Sequence, residues 1–241
     1  MKRQKVRKLI LIISLLLFPV TIYYFSPALI INAGLDGIVN GSFIVFTIFL
    51  VSSIFFGRLF CAYLCPAGGL QECVSGVNNK KIIPSWKYRI KYIIWIVWIA
   101  VIVLCYALSG GIHSVDFFYM TDHGVSIASV GAYIIYYGII LLIVIPALIA
   151  GKRAFCHYFC WMAPFMVIGE KLRTALHLPG VTVAIDNQKC TSCQRCSQSC
   201  PMSIEVASFA EHGKINDVEC IQCGACIDDC PSHALCYKIQ K

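Results

Sequence analysis

The sequence predicts a membrane all-α domain of four helices, arranged as two parallel two-helix repeats, followed by a small α+β unit wound around two cysteine runs. Three observations predict it. The 241 residues are 59% apolar and 13% charged, against about 45–50% and about 25% in ordinary soluble domains. Four apolar stretches are long enough to cross a bilayer. Most of the 15 cysteines fall into repeated, closely spaced motifs.

The apolar stretches are residues 9–31, 38–57, 92–108 and 129–150. A helix needs about 20 apolar residues to cross the hydrocarbon core, with about 17 as a lower limit. Pro19, Pro27 and Pro146 lie in or near these spans, a position that membrane helices tolerate. The basic start and the long apolar run also have the outline of a signal peptide, but no small-residue cleavage site follows. The expectation is a retained first helix. Residues 165–183 have the pattern of a short amphipathic helix on the membrane surface.

The 20 Lys and Arg residues cluster before the first span, between the second and third, and after the fourth. Residues 27–43 and 109–133 hold none. The positive-inside rule then predicts a multi-pass protein of the inner (cytoplasmic) membrane, with both termini in the cytoplasm. The net charge of +8 is accounted for by this asymmetry, so no nucleic-acid partner is expected.

Two internal repeats stand out. Gly57-Arg-Leu-Phe-Cys-Ala-Tyr-Leu-Cys65 matches Lys152-Arg-Ala-Phe-Cys-His-Tyr-Phe-Cys160, with Arg, Phe, both Cys and Tyr in register. Each copy follows a pair of apolar spans, which predicts the two parallel halves. Residues 185–206 likewise match 215–236. The domain division expected is 1–183 for the membrane part and 184–241 for the cysteine-rich part.

The second repeat carries Cys190-x2-Cys193-x2-Cys196-x3-Cys200-Pro201 and then Cys220-x2-Cys223-x2-Cys226-x3-Cys230-Pro231. This is the bacterial two-cluster ferredoxin run stated twice, in which the fourth Cys of each run reaches the other cluster. It assigns Cys190, Cys193, Cys196 and Cys230 to one [4Fe–4S] cluster, and Cys220, Cys223, Cys226 and Cys200 to a second. Paired zinc knuckles are the alternative, but they do not require eight interleaved Cys with Pro after each fourth. A reducing cytoplasm suits such thiols.

Cys61, Cys65, Cys156 and Cys160 sit at equivalent ends of the second and fourth spans. If the halves pack about a common axis, four thiols converge into a third redox or metal site, iron–sulfur or another soft metal. The alternative is that they are small packing residues. Cys73, Cys105 and Cys236 have no matched partner and are read as packing.

With these motifs in place the chain resembles the NapH-type membrane polyferredoxins, and the C-terminal membrane and ferredoxin part of NosR. The resemblance covers nearly the whole chain and rests on residues 57–68, Phe155-Cys-His-Tyr-Phe-Cys160 and the two ferredoxin runs. It implies electron transfer between a membrane quinol pool, cytoplasmic clusters and extracytoplasmic reductases, with any flavin carried by a partner. One departure predicts a different backbone after the second pair. The family pattern is Cys-x3-Cys-Pro, but here Cys160 is followed by Trp161-Met-Ala-Pro164.

The loop 109–126 holds His113, Asp116, Asp122 and His123 among Phe117, Phe118 and Tyr119. These are candidate proton acceptors and ring partners for a quinone, or else a solvated loop with an interfacial aromatic belt. The expected function is electron transfer as part of an oxidoreductase system, with no catalytic nucleophile or acid–base pair in the chain. A metal-handling or cupric-reducing membrane protein and a redox sensor are the competing readings.

Overall fold

The computed structural model describes residues 2–240. The basic start and the apolar run after it form one helix, α1 (Lys2–Leu16), which bends by 60° into α2 (Phe18–Thr21) and a 3-10 turn, Ile22–Phe25. A further short helix, α3 (Pro27–Leu35), precedes a strand, β1 (Ile38–Asn40). Residues 9–31 were expected as one continuous span. Pro19 and Pro27 instead begin new helices at their first turns, where a missing N–H costs nothing. Groups freed by the breaks find new partners. Ser126 and Ile127 donate their backbone N–H groups to Val20 and Pro19, and the Trp161 and Trp98 indoles donate to the carbonyls of Phe25 and Pro27.

The second span is also shorter than expected. Residues 38–40 form β1, which pairs in parallel with β2 (Ser114–Asp116). The helix α4 (Gly41–Phe56) starts at Asn40, whose Oδ1 accepts from the Phe43 N–H and caps it. Next come α5 (Leu59–Tyr63), α6 (Pro66–Val74), a 3-10 turn Trp86–Arg89 leading into α7 (Ile90–Leu108), α8 (Val130–Ala150) and α9 (Ala154–Tyr158). Two described helices, Trp86–Leu108 and Val130–Ala150, are long and apolar enough to cross a membrane, or three if the bent α1–α2 pair is one span. Beyond Arg89 they expose apolar side chains such as Ile96, Val103, Ile134 and Ile149.

Helix α10 (Ala163–Ala175) falls where an amphipathic surface helix was expected, but it covers its apolar face with protein. It packs along α4, with Gly169 against Leu50 and Ser53 and the Phe165 ring against Phe46 and Trp98. Helix α6 packs on α1 and α8. The helix after each membrane cysteine pair therefore lies on the apolar helix of the other half.

The C-terminal unit is built on a two-stranded antiparallel sheet, β3 (Gly180–Ile185) with β4 (Leu235–Gln240). Between the strands lie α11 (Arg195–Ser199), a 3-10 turn Val206–His212 and α12 (Ala225–Asp228). This is the small α+β ferredoxin-type arrangement expected.

Candidate functional site

The two ferredoxin runs adopt one backbone twice. Residues Ser192, Gln194 and Ser203 have positive φ, and so do Gln222, Gly224 and His233, each 30 positions on. Positive φ is uncommon for residues other than glycine. Here it recurs at both x positions flanking the second Cys of each run, and three residues after the fourth Cys. Such strain persists where the surroundings dictate it. The αL residues curl each Cys-x2-Cys loop into a cup, and α11 and α12 then carry Cys196 and Cys226.

Cys200, Cys220, Cys223 and Cys226 line a single small apolar cavity, closed by Val183, Ile204 and Ile215. These are the four residues assigned by spacing to the second cluster. Burial, then the nearby Cys223 and Cys200 thiolates, push the Cys226 thiol above its ordinary range. Burial, then Cys223, Cys200 and Cys226, do the same to Cys220. Cys200 is pushed up to about 11, again by burial first and Cys223 second. Four thiols in one dry cavity ionise together only with positive charge supplied among them. The residues therefore fit an iron–sulfur cube, whose irons provide that charge. In the first set, burial and, more weakly, the charge of Cys230 raise the Cys196 thiol. Cys193 is exposed and Cys190 half-buried, so the first set reaches the solvent.

Cys61, Cys65, Cys156 and Cys160 are all buried. The two loops that hold them match in detail. Leu64 and Phe159 share φ −120° and ψ −11°, and the N–H groups of Cys65 and Cys160 donate to Phe60 and Phe155 at 3.0 Å each. After that the backbones part, as the sequence departure predicts: α6 starts at Pro66, directly after Cys65, and α10 only at Ala163. The four thiols share one neighbourhood. Burial, followed by the charges of Cys61, Cys156 and Cys160, pushes Cys65 well up. Burial, followed by Cys156 and Cys61, lifts Cys160 to about 12. Gln71 donates to Cys156 Sγ at 3.2 Å, and Cys61 Sγ lies 3.8 Å from Met166 Sδ.

Two buried guanidinium groups flank these thiols, Arg58 facing Cys61 and Cys156, and Arg153 facing Cys156 and Cys65. Arg58 Nε and Nη2 and Arg153 Nε are buried with no hydrogen-bond partner. Orphaned cationic donors beside neighbouring buried thiols suit an anionic thiolate-ligated centre. Among the described residues no three His, Cys, Asp or Glu side chains converge on one metal ion.

The C-terminal unit docks its second-cluster loop onto these thiol-bearing loops. Arg58 Nη1 donates to the Val218 carbonyl at 3.0 Å and to Glu219 at 2.9 Å, and Lys91 donates to the other Glu219 oxygen. Burial alone would raise the Glu219 carboxyl, but Arg58 and Lys91 outweigh it and hold it at about 2. Gln222 lies over Gly57, whose φ of +56° and lack of a Cβ permit the approach. From the N-terminus, Arg3 donates to Asp228 at 2.7 Å and Gln4 to the Cys223 carbonyl at 3.0 Å. Beside the thiols His157 stacks on Tyr88 at 4.7 Å and stays neutral, as burial lowers it to about 3.

The remaining cysteines divide. Cys105 packs against Gly34, but Cys73 and Cys236 are exposed, so the packing reading fails for those two. The two histidines of the outer loop are exposed and tied to their own loop, His113 to the Ser109 carbonyl and His123 to Asp122, at 2.6 Å each, while Phe117 stacks on Tyr24 and Tyr119 donates to Asp36. Strand β2 holds this loop at the Asn40 end of α4, while the thiols lie past its other end. The 16 residues between span about 24 Å. The docking residues Arg58, Glu219, Arg3 and Asp228 were missed by the sequence motifs, although Arg58 and Arg153 stand in register in the repeat.

Paired cysteine loops on apolar helices, with a twice-stated cluster-binding unit docked beside them, define a class: membrane iron–sulfur proteins of ferredoxin type. Residues 182–231 match the family described as 4Fe-4S dicluster domain, and residues 41–84 and 132–179 match that described as 4Fe-4S binding domain. The C-terminal unit belongs to the ferredoxin family, being 36% identical over 64 residues to a ferredoxin of Methanocaldococcus jannaschii, of which it covers 83%. Over most of its length the chain is a homologue of three longer proteins. It is 22% identical over 88% of its length to YccM of Escherichia coli, named as an electron transport protein. It is 25% identical over 76% of its length both to the ferredoxin-type protein NapH of Haemophilus influenzae and to the regulatory protein NosR of Pseudomonas aeruginosa. The chain spans 60% of YccM, 63% of NapH and 25% of NosR. No solved structure matches it.

Proposed function

We propose that this chain is a membrane-bound electron-transfer protein, relaying electrons between a quinol pool, or a membrane or extracytoplasmic redox partner, and [4Fe–4S] clusters on the cytoplasmic face. Residues 1–183 form the membrane part and 184–241 the ferredoxin part. Four apolar segments traverse the inner membrane as two parallel repeats, the first segment bent. Both termini lie in the cytoplasm, on the side where the Lys and Arg residues gather. Cys190, Cys193, Cys196 and Cys230 hold one cluster, and Cys220, Cys223, Cys226 and Cys200 the other. Cys61, Cys65, Cys156 and Cys160 hold a third iron–sulfur centre. When bound, these groups supply one-electron exchange.

The chain's own residues hold the thiol sets in order. Arg58 and Arg153 offset the negative charge of the membrane set. The Arg58–Glu219 pair and the Gln222–Gly57 contact fix the buried ferredoxin set beside it. The other ferredoxin set ends at exposed Cys193, open to a soluble partner. The observation that carries this reading is the single cavity walled by Cys200, Cys220, Cys223 and Cys226, on a loop docked against the membrane thiols. The names of YccM and NapH agree with it.

The test uses the protein in anaerobic proteoliposomes. A reduced quinone is added, or an oxidised quinone after chemical reduction, and the paramagnetic signals of the clusters are followed. The expected result is quinol-driven reduction or quinone-driven reoxidation, abolished when Cys61 and Cys156 are both changed to Ser. Clusters that exchange electrons with soluble reductants alone, in a protein that retains stoichiometric copper, would overturn the relay in favour of metal handling.

A further inference from the structure

A cleft of about 460 Å³ opens between α1, α6 and the ferredoxin unit. Five of its lining residues, Lys5, Arg7, Lys8, Lys152 and Arg153, are cationic. Its three carboxylates are already engaged: Glu72 by Arg7 and Arg153, Asp228 by Arg3, and Asp229 by Arg195. The three lysines have no carboxylate partner, although Lys152 lies near the Cys200 thiol. Lys5 and Lys8 carry no ion pair or hydrogen bond among the described residues. Lys152, 9% exposed, donates only to the neutral Gln198 carbonyl, at 3.2 Å. Lys152 is buried and Lys5 and Lys8 are exposed, and all three line one cleft without a carboxylate partner. Ser75 and Asn79 add neutral donors on the same wall.

We propose that this cleft is a binding site for a phosphate-bearing anion, held by Lys5, Lys8 and Lys152. Compact phosphate groups match the point charges of lysine ammonium groups, and the cleft is large enough to take more than one phosphate. The occupant comes from one of two sources, the headgroup of an anionic lipid in the adjoining leaflet or a soluble phosphate compound. Neither cluster content nor quinone chemistry enters the argument, so the site stands apart from the electron-transfer reading. Its occupant touches α1 beside Arg7, the loop after α8 and Pro201 next to Cys200, and so braces the ferredoxin unit against the membrane part.

The test uses the full chain, prepared anaerobically in nanodiscs of phosphatidylcholine alone, with inorganic pyrophosphate as the probe and thermal unfolding as the readout. The wild type should show a saturable rise in unfolding temperature beyond that given by sodium chloride of equal ionic strength. The paired change Lys5→Gln with Lys8→Gln should weaken pyrophosphate binding by at least about tenfold, since two charge-assisted contacts are lost. Lys5→Arg with Lys8→Arg should restore it, and Lys87→Gln, outside the cleft, should leave it unchanged. Nanodiscs containing phosphatidylglycerol distinguish the sources. A lipid occupant stabilises the wild type and blocks the pyrophosphate titration, whereas a soluble occupant binds equally in both lipids. Pyrophosphate binding of equal strength in the wild type and in the double Gln variant would overturn the proposal, as would stabilisation no greater than that of sodium chloride.

Discussion

Between the two cysteine-bearing loops, Glu72 accepts from Arg7 through both carboxylate oxygens at 2.7 Å, and from Arg153 at 2.5 Å. Arg153 in turn donates to the Cys61 carbonyl at 2.9 Å. One carboxylate thus ties the N-terminal helix to both loops. Burial alone would raise its pKa, but Arg153 and Arg7 outweigh burial and hold it below the usual carboxylate range. The folded carboxyl then keeps its charge to lower pH than the unfolded one. The stability this provides is complete above the unfolded value of roughly 4.3, and is lost as the pH falls below it through the folded value. Glu72→Gln leaves two buried guanidinium groups without their anion and should cost about 3 kcal/mol at pH 7. In matched anaerobic thermal scans, the gap between wild type and variant should hold from pH 7 to about pH 5 and narrow as the pH falls below about 4. A gap that does not narrow below about pH 4 would contradict the assignment. None of these contacts is visible in a one-dimensional pattern, because they join residues 65 and 81 positions apart. The cysteines were legible because cluster ligation confines most of its ligands to short local spacings.

At the level of elements, apolar length and charge placement identified the helices from Ile90 and from Val130 nearly to the residue. They misjudged the first two apolar stretches. Hydropathy reports burial in lipid or protein, and says little of where Pro19 and Pro27 break a run that remains apolar throughout. It also cannot separate the strand Ile38–Asn40 from the helix that follows, since both are apolar. Helix α10 shows the same limit, because its amphipathic pattern suits a membrane surface and a protein groove equally well. Gly169 decides its place. A Cβ there would lie 1.9 Å from Ser53 Oγ and 2.6 Å from the Leu50 carbonyl. The Ser53 hydroxyl can rotate away, but the carbonyl belongs to the backbone of α4. Gly169→Ala should therefore push α10 off α4 and cost about 1–3 kcal/mol, measured by denaturant unfolding in detergent. An unchanged midpoint would mean that the two helices do not pack in the solubilised protein.

Across the whole molecule, the membrane thiols and the ferredoxin thiols meet at one junction. Arg58 and Glu219 join them across 161 positions of sequence, and Arg3 and Asp228 across 225. Local motifs found each thiol set, but only the folded chain shows that the second-cluster loop is the one turned toward the membrane. The central claim is that this junction brings together three cluster-binding sites, one of them made by Cys61, Cys65, Cys156 and Cys160. Its most direct test is the iron and acid-labile sulfide content of anaerobically purified protein, beside a variant with all four of these residues changed to Ser. Three four-iron cubes predict about twelve irons per chain in the wild type, falling to about eight in the variant. About eight in both would contradict the claim, leaving the four buried membrane thiols without an iron–sulfur centre.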